Sequence, residues 1–247
     1  MRLCWRYGAR RAASRSAAFR RRALVAPARA AHTAPVTQDI PPIPLNPPNP
    51  PIPSRADLAR AQCISAGGFA NPDVFVLEHS GARLVVKDFA PRGALVRATL
   101  GRWIARREQR AWRALGSHPE VPRWLGAIDA LAFAVEHRAG RPLSRSVARE
   151  LPVAFFERLS RAIDEMHAHG VVHLDLRHQG NVLVGDDGAP ALVDFGSALA
   201  LPPGSVRARL ALALLGWIDR SAVAKWRGYA TGVGASSRGS RGASRPT

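Results

Sequence analysis

The sequence predicts an α+β fold in which a small, strand-rich half precedes a mostly helical half. Two patterns indicate this fold. Short apolar runs bounded by turn residues, typical of strands, lie early in the domain, whereas later segments repeat apolar residues at helical spacing. With 247 residues, of which 47% are hydrophobic, the chain can bury a sizeable core in one large or two small domains.

Composition divides the chain into a central domain and its flanks. Residues 1–40 are rich in Arg, Ala and Ser and are predicted to form a disordered basic segment, with an organelle transit peptide or a misassigned start as alternatives. The Pro-rich residues 41–55 indicate a stiff linker. Residues 231–247 are mostly Gly, Ser and Arg and are predicted to be disordered, which leaves 56–230 as the folded domain.

The formal net charge of +18 is concentrated at the two ends of the chain. Residues 1–55 contain ten Arg and one acid, and residues 225–247 contain five basic residues and no acid. Such ends can neutralise nucleic-acid phosphates, but solvated basic flanks are the favoured interpretation. Cys4 and Cys63 do not suggest a disulfide framework, and the longest apolar run, Leu210–Ile218, is too short to cross a bilayer. We therefore expect a cytoplasmic protein without a transmembrane segment.

The first half of the domain is predicted to be a small sheet with one helix. Two strands, Asp73–Leu77 and Arg83–Phe89, flank a turn at His79-Ser80-Gly81. A helix over 95–115 follows, with apolar positions at helical spacing: Leu100, Ile104, Ala111, Trp112 and Leu115. Leu125–Glu136 is then predicted to form one or two buried strands.

The second half is predicted to consist of two helices around several short strands. The first helix spans 152–169, and its inner side is formed by five large residues: Phe155, Phe156, Leu159, Ile163 and Met166. Short strands at Val171–His173 and Asn181–Val184 flank a polar loop, and another lies at Ala191–Asp194. A last helix is predicted over 205–218.

The polar loop and the Asp194-Phe195-Gly196 turn indicate phosphoryl transfer. Asp175 follows a short strand, where a carboxylate can accept the proton of an attacking hydroxyl. The amide oxygen of Asn181 and the carboxylate of Asp194 suit the Mg²⁺ ion that bridges nucleotide phosphates. Gly196 allows the chain to turn sharply.

This His-x-Asp…Asn…Asp-Phe-Gly pattern resembles the protein-kinase-like family, which includes RIO-type kinases, lipopolysaccharide-core sugar kinases and aminoglycoside phosphotransferases. The resemblance covers about residues 62–226. It implies a two-lobed fold, with a small strand-rich N-lobe over about 56–136 and a reduced helical C-lobe over about 137–230. It also implies ATP and Mg²⁺ as cofactors.

The resemblance assigns a role to each residue of the motif. Asp175 matches the catalytic base, Asn181 and Asp194 match the magnesium ligands, and Arg177 stands where many kinases have a Lys that contacts the transferred phosphate. In the family the Asn lies five residues after the Asp, whereas here the step is six. The extra residue is expected within 178–180, where glycine can absorb a bulge.

The same resemblance extends to Lys87 and Glu108. Lys87 ends an apolar strand and is one of only two Lys in a chain with 34 Arg, which favours a role that a guanidinium cannot fill. Glu108 is the only acid between residues 94 and 115 and lies on the apolar stripe of its helix. We therefore expect a Lys87–Glu108 ion pair at the α- and β-phosphates, with neighbouring arginines as the alternative partners of Glu108.

The remaining features allow two interpretations each. Gly67 and Gly68 form either a phosphate-covering loop or an ordinary turn. Glu136 begins a segment that resembles the hinge between kinase lobes, where backbone groups bond the adenine edge. His173 is a metal ligand or, preferably, a buried structural residue. Asp219 either braces the backbone of the polar loop or is a plain helix-terminal acid.

Two functions from different classes fit these residues. The first is an ATP-dependent kinase that transfers a phosphate to a hydroxyl on a protein Ser or Thr or on a sugar. The second is an inactive nucleotide-binding scaffold of the pseudokinase type. The joint presence of four residues that a scaffold does not need favours the kinase: Lys87, Asp175, Asn181 and Asp194.

Overall fold

The computed structural model describes residues 50–232, which contain ten strands and five α-helices. The predicted segment 1–40, most of the linker 41–55 and nearly all of the tail 231–247 lie outside these residues. In chain order the elements are β1 Gln62–Ser65, β2 Asp73–His79, β3 Ala82–Asp88, α1 Ala94–Ala98, α2 Leu100–Leu115, β4 Trp124–Ala127, β5 Ala132–Glu136, β6 Gly140–Pro142, α3 Arg145–Glu150, α4 Val153–Ala168, β7 Val171–Val172, β8 Val182–Gly185, β9 Pro190–Leu192, β10 Leu199–Ala200 and α5 Val206–Ala230.

The first half contains a five-stranded antiparallel sheet with the order β1-β2-β3-β5-β4. The predicted hairpin is confirmed: β2 and β3 are joined by Ser80 and Gly81, whose φ angles of 51° and 76° suit a two-residue turn between twisted strands. The segment predicted as one or two strands forms two, β4 and β5.

The helix predicted over 95–115 is interrupted at Thr99, which separates α1 from α2. Gly101 lies at the close approach of the two helices, since a Cβ there would be 2.9 Å from the carbonyl oxygen of Val96. The end of the predicted apolar stripe is buried, as Trp112 and Leu115 are 2% and 1% exposed, whereas the first position, Leu100, is 38% exposed. The stripe therefore faces the core from Ile104 onward, whereas Leu100 lies at its partly exposed start.

The second half places α4 and α5 around short strands, with β7 paired to β10 and β8 between β6 and β9. The five predicted inner residues of α4 are all buried. The last helix was expected to end at 218, but α5 continues to Ala230. The polar residues after 218 suggested an end, yet Asp219 is buried and the apolar spacing continues through Ala222 and Trp226.

One hydrophobic core joins the two halves, and it includes Trp112, Phe133, Phe156 and Phe195. The last residues of the predicted linker also belong to the folded domain. Arg55 forms ion pairs with Asp88 and Asp129 at 2.5 and 2.6 Å.

Within residues 50–232, the structure has no helix with the length and apolar character needed to cross a bilayer.

Candidate active site

Two predicted site residues lie at the open end of one β-hairpin. β8 and β9 pair in antiparallel fashion, with Val182 opposite Leu192. The ladder continues one step further, where the N–H of Val193 donates to the carbonyl of Asn181 at 3.0 Å. Asn181 therefore precedes the hairpin and Asp194 follows it at the same edge. The thirteen-residue spacing between them is the length of this hairpin.

The polar loop, residues 173–181, holds Asp175 next to Asn181. Nδ2 of Asn181 donates to both the carbonyl oxygen and Oδ2 of Asp175, each at 2.9 Å. Asn181 is 5% exposed, whereas Asp175 faces solvent. A buried amide thus orients an exposed carboxylate, which is an arrangement suited to a proton acceptor that must meet a substrate.

Two successive turns accommodate the extra residue of the polar loop. The N–H of His178 donates to the carbonyl of Asp175 at 3.1 Å, and the N–H of Asn181 donates to the carbonyl of His178 at 3.2 Å. Gly180 does not adopt left-handed backbone, so the expected bulge at a glycine is not what absorbs the insertion. The longer loop nevertheless keeps Asp175 and Asn181 in contact.

Lys87, Glu108 and Asp194 form an ion-pair network. Nζ of Lys87 lies 2.5 Å from Oε1 of Glu108 and 2.6 Å from Oδ1 of Asp194. The Lys87 and Glu108 side chains are 9% and 1% exposed, and Asp194 is 45% exposed. The predicted Lys87–Glu108 pair is confirmed, and Asp194 is an additional partner. The network joins β3 and α2 to the open end of the hairpin.

The network also sets the charge of its members. Burial alone would lower the pKa of Lys87, but Asp194 and Glu108 outweigh it and raise that pKa above its ordinary value. Packing around Asp194 would raise the pKa of its carboxyl, but Lys87 reverses this and lowers it. Burial raises the pKa of Glu108, although Lys87 opposes this effect. Lys87 and Asp194 are therefore charged at neutral pH.

His173 is a structural residue in the core. Its ring centroid lies 4.7 Å from that of Phe195, which in turn contacts Trp112. Nε2 of His173 donates to the carbonyl of Val193 at 3.0 Å, and Nδ1 accepts from the N–H of Asp175 at 3.4 Å. Burial lowers the pKa of the imidazole, which is therefore neutral. Because both ring nitrogens are engaged, the structural interpretation is confirmed.

Asp219 holds the polar loop from α5. Its carboxylate, which is fully buried, accepts the backbone N–H groups of His173 and Leu174, both at 2.8 Å. Oδ2 of Asp219 also lies 3.0 Å from Nε2 of His167. The bracing interpretation of Asp219 is confirmed. The sequence alone left this open, because the partners lie 45 and 46 residues away.

Two non-glycine residues of the site have left-handed backbone, Leu174 with φ 70° and Asp194 with φ 64°. Each such conformation costs about 1–3 kcal/mol, and it persists only where surrounding contacts impose it. Asp219 supplies those contacts for Leu174, and Lys87 together with the N–H of Gly196 supplies them for Asp194. Strain of this kind concentrates at functional sites.

The C-terminal part of α5 holds the middle of the polar loop. Nε1 of Trp226 donates to the carbonyl of Leu176 at 3.1 Å, and Nζ of Lys225 donates to the carbonyl of Arg177. The guanidinium of Arg177 donates to Oγ of Ser221 at 3.2 Å. Sequence reasoning missed Lys225 and Trp226 because it ended the helix before them, and the continuing apolar spacing was the signal that could have found them.

The glycine loop lies within a separate clamp. The N–H of Gly67 donates to Oδ1 of Asp73 at 2.7 Å, while Arg92 donates to the carbonyls of Gly67 and Gly68 and pairs with Asp73. A Cβ at Gly67 would lie 2.2 Å from the carbonyl oxygen of Asn71, which explains the glycine. The Gly67 N–H is thus engaged inside the loop. Nothing distinguished Arg92 beforehand in so Arg-rich a chain.

Glu136 is held by arginines at the end of β5. Its Oε2 accepts the N–H of Arg123 at 3.2 Å and lies 3.4 Å from Nε of Arg138. The backbone N–H of Glu136 donates to the carbonyl of Arg123, and that of His137 donates to the carbonyl of Arg83. The carboxylate is therefore engaged in structural contacts rather than directed at the ion-pair network.

In the described part of the chain, one group of side chains has the composition of a metal site: His118, Glu120 and Glu165. Both ring nitrogens of His118 are engaged, because Nε2 bonds the carbonyl of Ala162 at 3.1 Å and Nδ1 accepts the N–H of Glu120 at 3.2 Å. Glu120 also pairs with Arg158 at 2.6 Å. This group stabilises the packing of α4 and does not resemble an open metal site.

Comparison with known proteins gives partial similarities. No protein-family model matches the chain. Over 85 residues the chain is 41% identical to the DNA damage-responsive serine/threonine-protein kinase RqkA of Deinococcus radiodurans. The aligned segment covers 33% of this chain and 12% of that protein. Over 142 residues the chain is 32% identical to the probable SapB synthase of Streptomyces coelicolor. The aligned segment covers 48% of this chain and 15% of that protein. The first match indicates a distant kinase-like relationship, and both matches span only small parts of much longer proteins.

Proposed function

We propose that the chain is an ATP-dependent phosphotransferase with the two-lobed fold of protein-kinase-like enzymes, which transfers the γ-phosphate of Mg-ATP to a hydroxyl on a protein Ser or Thr or on a sugar. The observation that carries the proposal is the convergence on one hairpin end. Lys87 reaches Asp194 there at 2.6 Å, and Asn181 bonds Asp175 at 2.9 Å. The partial similarity to a serine/threonine-protein kinase supports the same reaction class.

The residues at the hairpin end fit a magnesium ion. Nδ2 of Asn181 is engaged with Asp175, which directs the amide oxygen of Asn181 away from that carboxylate. Oδ1 of Asp194 accepts from Lys87 and from Gly196, so its second oxygen is the one available to a cation. Two oxygen ligands beside substrate phosphates are what Mg²⁺ commonly takes from a protein. Bound there, the ion would neutralise charge on the phosphates.

Each protein group then has a defined task. The Lys87 ammonium has three N–H donors, of which two bond Glu108 and Asp194, and the third is left for a phosphate oxygen. The acceptor hydroxyl oxygen forms a bond to the γ-phosphorus while the bond to the ADP oxygen breaks. Asp175 takes the hydroxyl proton, for which its exposed and oriented carboxylate is suited.

A transfer assay tests the proposal. ADP release from Mg-ATP is measured for the wild type, Asp175→Asn and Asp194→Asn, with exposed Asp164→Asn as the control. The wild type and the control are expected to turn over at least a hundredfold faster than the two site variants. Equal rates for all four proteins would contradict the enzymatic function.

Nucleotide binding without transfer is the second candidate. The observation behind it is the glycine loop: the Gly67 N–H is bonded to Asp73, so this donor is not available to position phosphates for transfer. Thermal unfolding with and without Mg-ATP separates the two functions. At 100 times the dissociation constant, a nucleotide adds about 2.7 kcal/mol of stability. A shift without turnover would indicate the scaffold, and no shift would contradict both functions.

A further inference from the structure

The second lysine of the chain, Lys225, also lies at the candidate active site. The chain has 34 arginines and two lysines, Lys87 and Lys225. Lys87 contacts Asp194, and Lys225 contacts the polar loop. Nζ of Lys225 donates to the carbonyl of Arg177 in the polar loop. The reaction assigned above to Lys87 and Asp175 leaves Lys225 without a role.

Lys225 belongs to a surface built from aromatic rings and cations. Its Nζ lies 4.1 Å from the ring centroid of Trp226, whose own Nε1 donates to the polar loop. The ring of Trp226 is 6.0 Å from that of Tyr229, and the guanidinium of Arg145, on α3, stacks 5.1 Å from the Tyr229 ring. The two rings hold Lys225 and Arg145 in position through cation–π contacts.

Three cations lie along two successive turns of α5, and we call Arg145, Arg177 and Lys225 the cationic cluster. Arg177 bonds Ser221, Lys225 follows one turn later, and Arg145 stacks on Tyr229 one turn further along. Burial lowers the pKa of Lys225, and the nearby Arg177 and Arg145 lower it further, while Asp175 opposes them. Gathered cations repel one another unless an anion lies between them.

We infer that the cationic cluster binds an anionic group, a phosphate or a carboxylate, on the acceptor molecule and so holds a neighbouring hydroxyl at Asp175. The inference rests on the proposed phosphotransferase function and narrows its acceptor to hydroxyl compounds that carry a negative charge. The nucleotide phosphates are assigned to Lys87, which pairs with Asp194 at 2.6 Å. Lys225 and Arg145 are therefore distinct from the cation assigned to the nucleotide, while Arg177 also stands at the position that contacts the transferred phosphate in the family that the chain resembles.

Binding of inorganic phosphate tests the site directly. The full chain is saturated with Mg²⁺ and a non-hydrolysable ATP analogue, and phosphate is titrated by calorimetry. Saturable binding is expected, weakened at least tenfold in Lys225→Met and in Arg145→Met. Arg209→Met is the matched control, because it removes one cation from α5 at a point about 24 Å along the helix from Lys225. Equal weakening in all three variants, or no saturable binding, would overturn the inference.

Comparison of the two cluster variants distinguishes a loss of phosphate binding from a loss of folding. Lys225→Met also removes the bond to the Arg177 carbonyl, whereas Arg145→Met removes only a stacked guanidinium. Thermal unfolding is measured for both. Weakened phosphate binding in an Arg145→Met protein of unchanged thermal stability supports the cluster. Weakening that occurs only in variants with reduced thermal stability counts against it.

Transfer to three matched acceptors tests the specificity. ADP release is compared for glycerol, glycerol 3-phosphate and glycerate. All three contain a vicinal diol, which carries no anion in the first, a phosphate in the second and a carboxylate in the third. At least one anionic acceptor is expected to exceed glycerol tenfold in kcat/KM, and the better of the two identifies the anion. Lys225→Met should abolish this preference by raising the KM for the anionic acceptor, while the KM for ATP stays unchanged.

The outcomes separate the two proposals. Phosphate binding that depends on the cationic cluster, without transfer to any acceptor, would support the anion site and contradict the phosphotransferase. Transfer that shows no preference for anionic acceptors would support the phosphotransferase and overturn the anion site.

Discussion

At the scale of single residues, Lys87 determines the electrostatics of the candidate site. Its ammonium is the cation of the ion-pair network and contacts a carboxylate on each side. The Glu108 side chain is 1% exposed, so water does not solvate its charge. A buried pair of this kind adds little net stability compared with apolar residues of the same shape, but removal of one partner is costly because it leaves the other charge unpaired.

We expect Lys87→Met to destabilise the domain by about 3–5 kcal/mol. The double variant Lys87→Met/Glu108→Leu should regain a large part of this loss, because no buried charge remains. Arg83→Met is the control on the same strand: its ion pair with Glu78 is exposed, so its loss should cost less than about 1 kcal/mol. Urea unfolding of all variants measures these differences, and a double variant less stable than Lys87→Met would contradict the explanation.

His173 is expected to make stability depend on pH. Burial lowers its pKa in the folded protein below the ordinary value of 6.5. Its contribution is therefore fully present above pH 6.5 and is lost as the pH falls, because the unfolded chain takes up a proton that the folded protein does not. The unfolding free energy should decrease between pH 7.5 and pH 5.5, and less so in His173→Asn. An equal decrease in both proteins would exclude His173 as the cause.

At the scale of elements, α5 supports residues 173–177 of the polar loop. Asp219 accepts the N–H groups at the start of the loop, and Trp226 and Lys225 donate to the carbonyls in its middle. The loop has little regular structure of its own and includes the left-handed Leu174. Its conformation therefore depends on a helix that begins 25 residues after the loop ends.

Asp219→Ala should lower the stability by at least about 3 kcal/mol, because two buried N–H groups lose their acceptor at about 1–3 kcal/mol each and His167 loses its partner. Asp164→Ala removes an exposed ion pair with Arg220 and should cost no more than about 1 kcal/mol. Urea unfolding of both variants gives the comparison. Similar losses at the two positions would show that Asp219 does not brace the loop.

At the scale of the whole molecule, the folded domain begins before residue 56. Arg55 bonds Asp129 through two nitrogens and Asp88 through a third. The Asp88 side chain is only 7% exposed, so the loss of its cation leaves a poorly solvated carboxylate.

A chain that starts at residue 50 should therefore be more stable than one that starts at residue 56, by about 1–3 kcal/mol. Arg55→Met in the longer chain should account for most of the difference. Thermal and urea unfolding of the three proteins are the measurements. Equal stability of the chains that start at 50 and 56 would remove Arg55 from the domain.

Much of the architecture follows from local patterns. The β2–β3 hairpin was predictable because a turn that requires positive φ lies between two apolar runs, and α4 because its five inner residues keep helical spacing. The break at Thr99 and the length of α5 were not predictable in this way. The break depends on the close packing at Gly101. The length of α5 depends on the backbone N–H groups of the polar loop, which hydrogen-bond the carboxylate of Asp219 and so allow it to be buried within the helix.

The sequence by itself determined that Asn181 and Asp194 border two short apolar strands and that Glu108, on an apolar stripe, requires a cation. A thirteen-residue antiparallel hairpin joins Asn181 to Asp194, and a lone acid on an apolar stripe demands a partner. Only the tertiary structure decided the partners of Asp219, Lys225 and Gly67. Asp219 and Lys225 contact backbone groups 45 to 48 positions away. Backbone N–H and carbonyl groups are equivalent in sequence, so only packing selects the ones that these side chains meet.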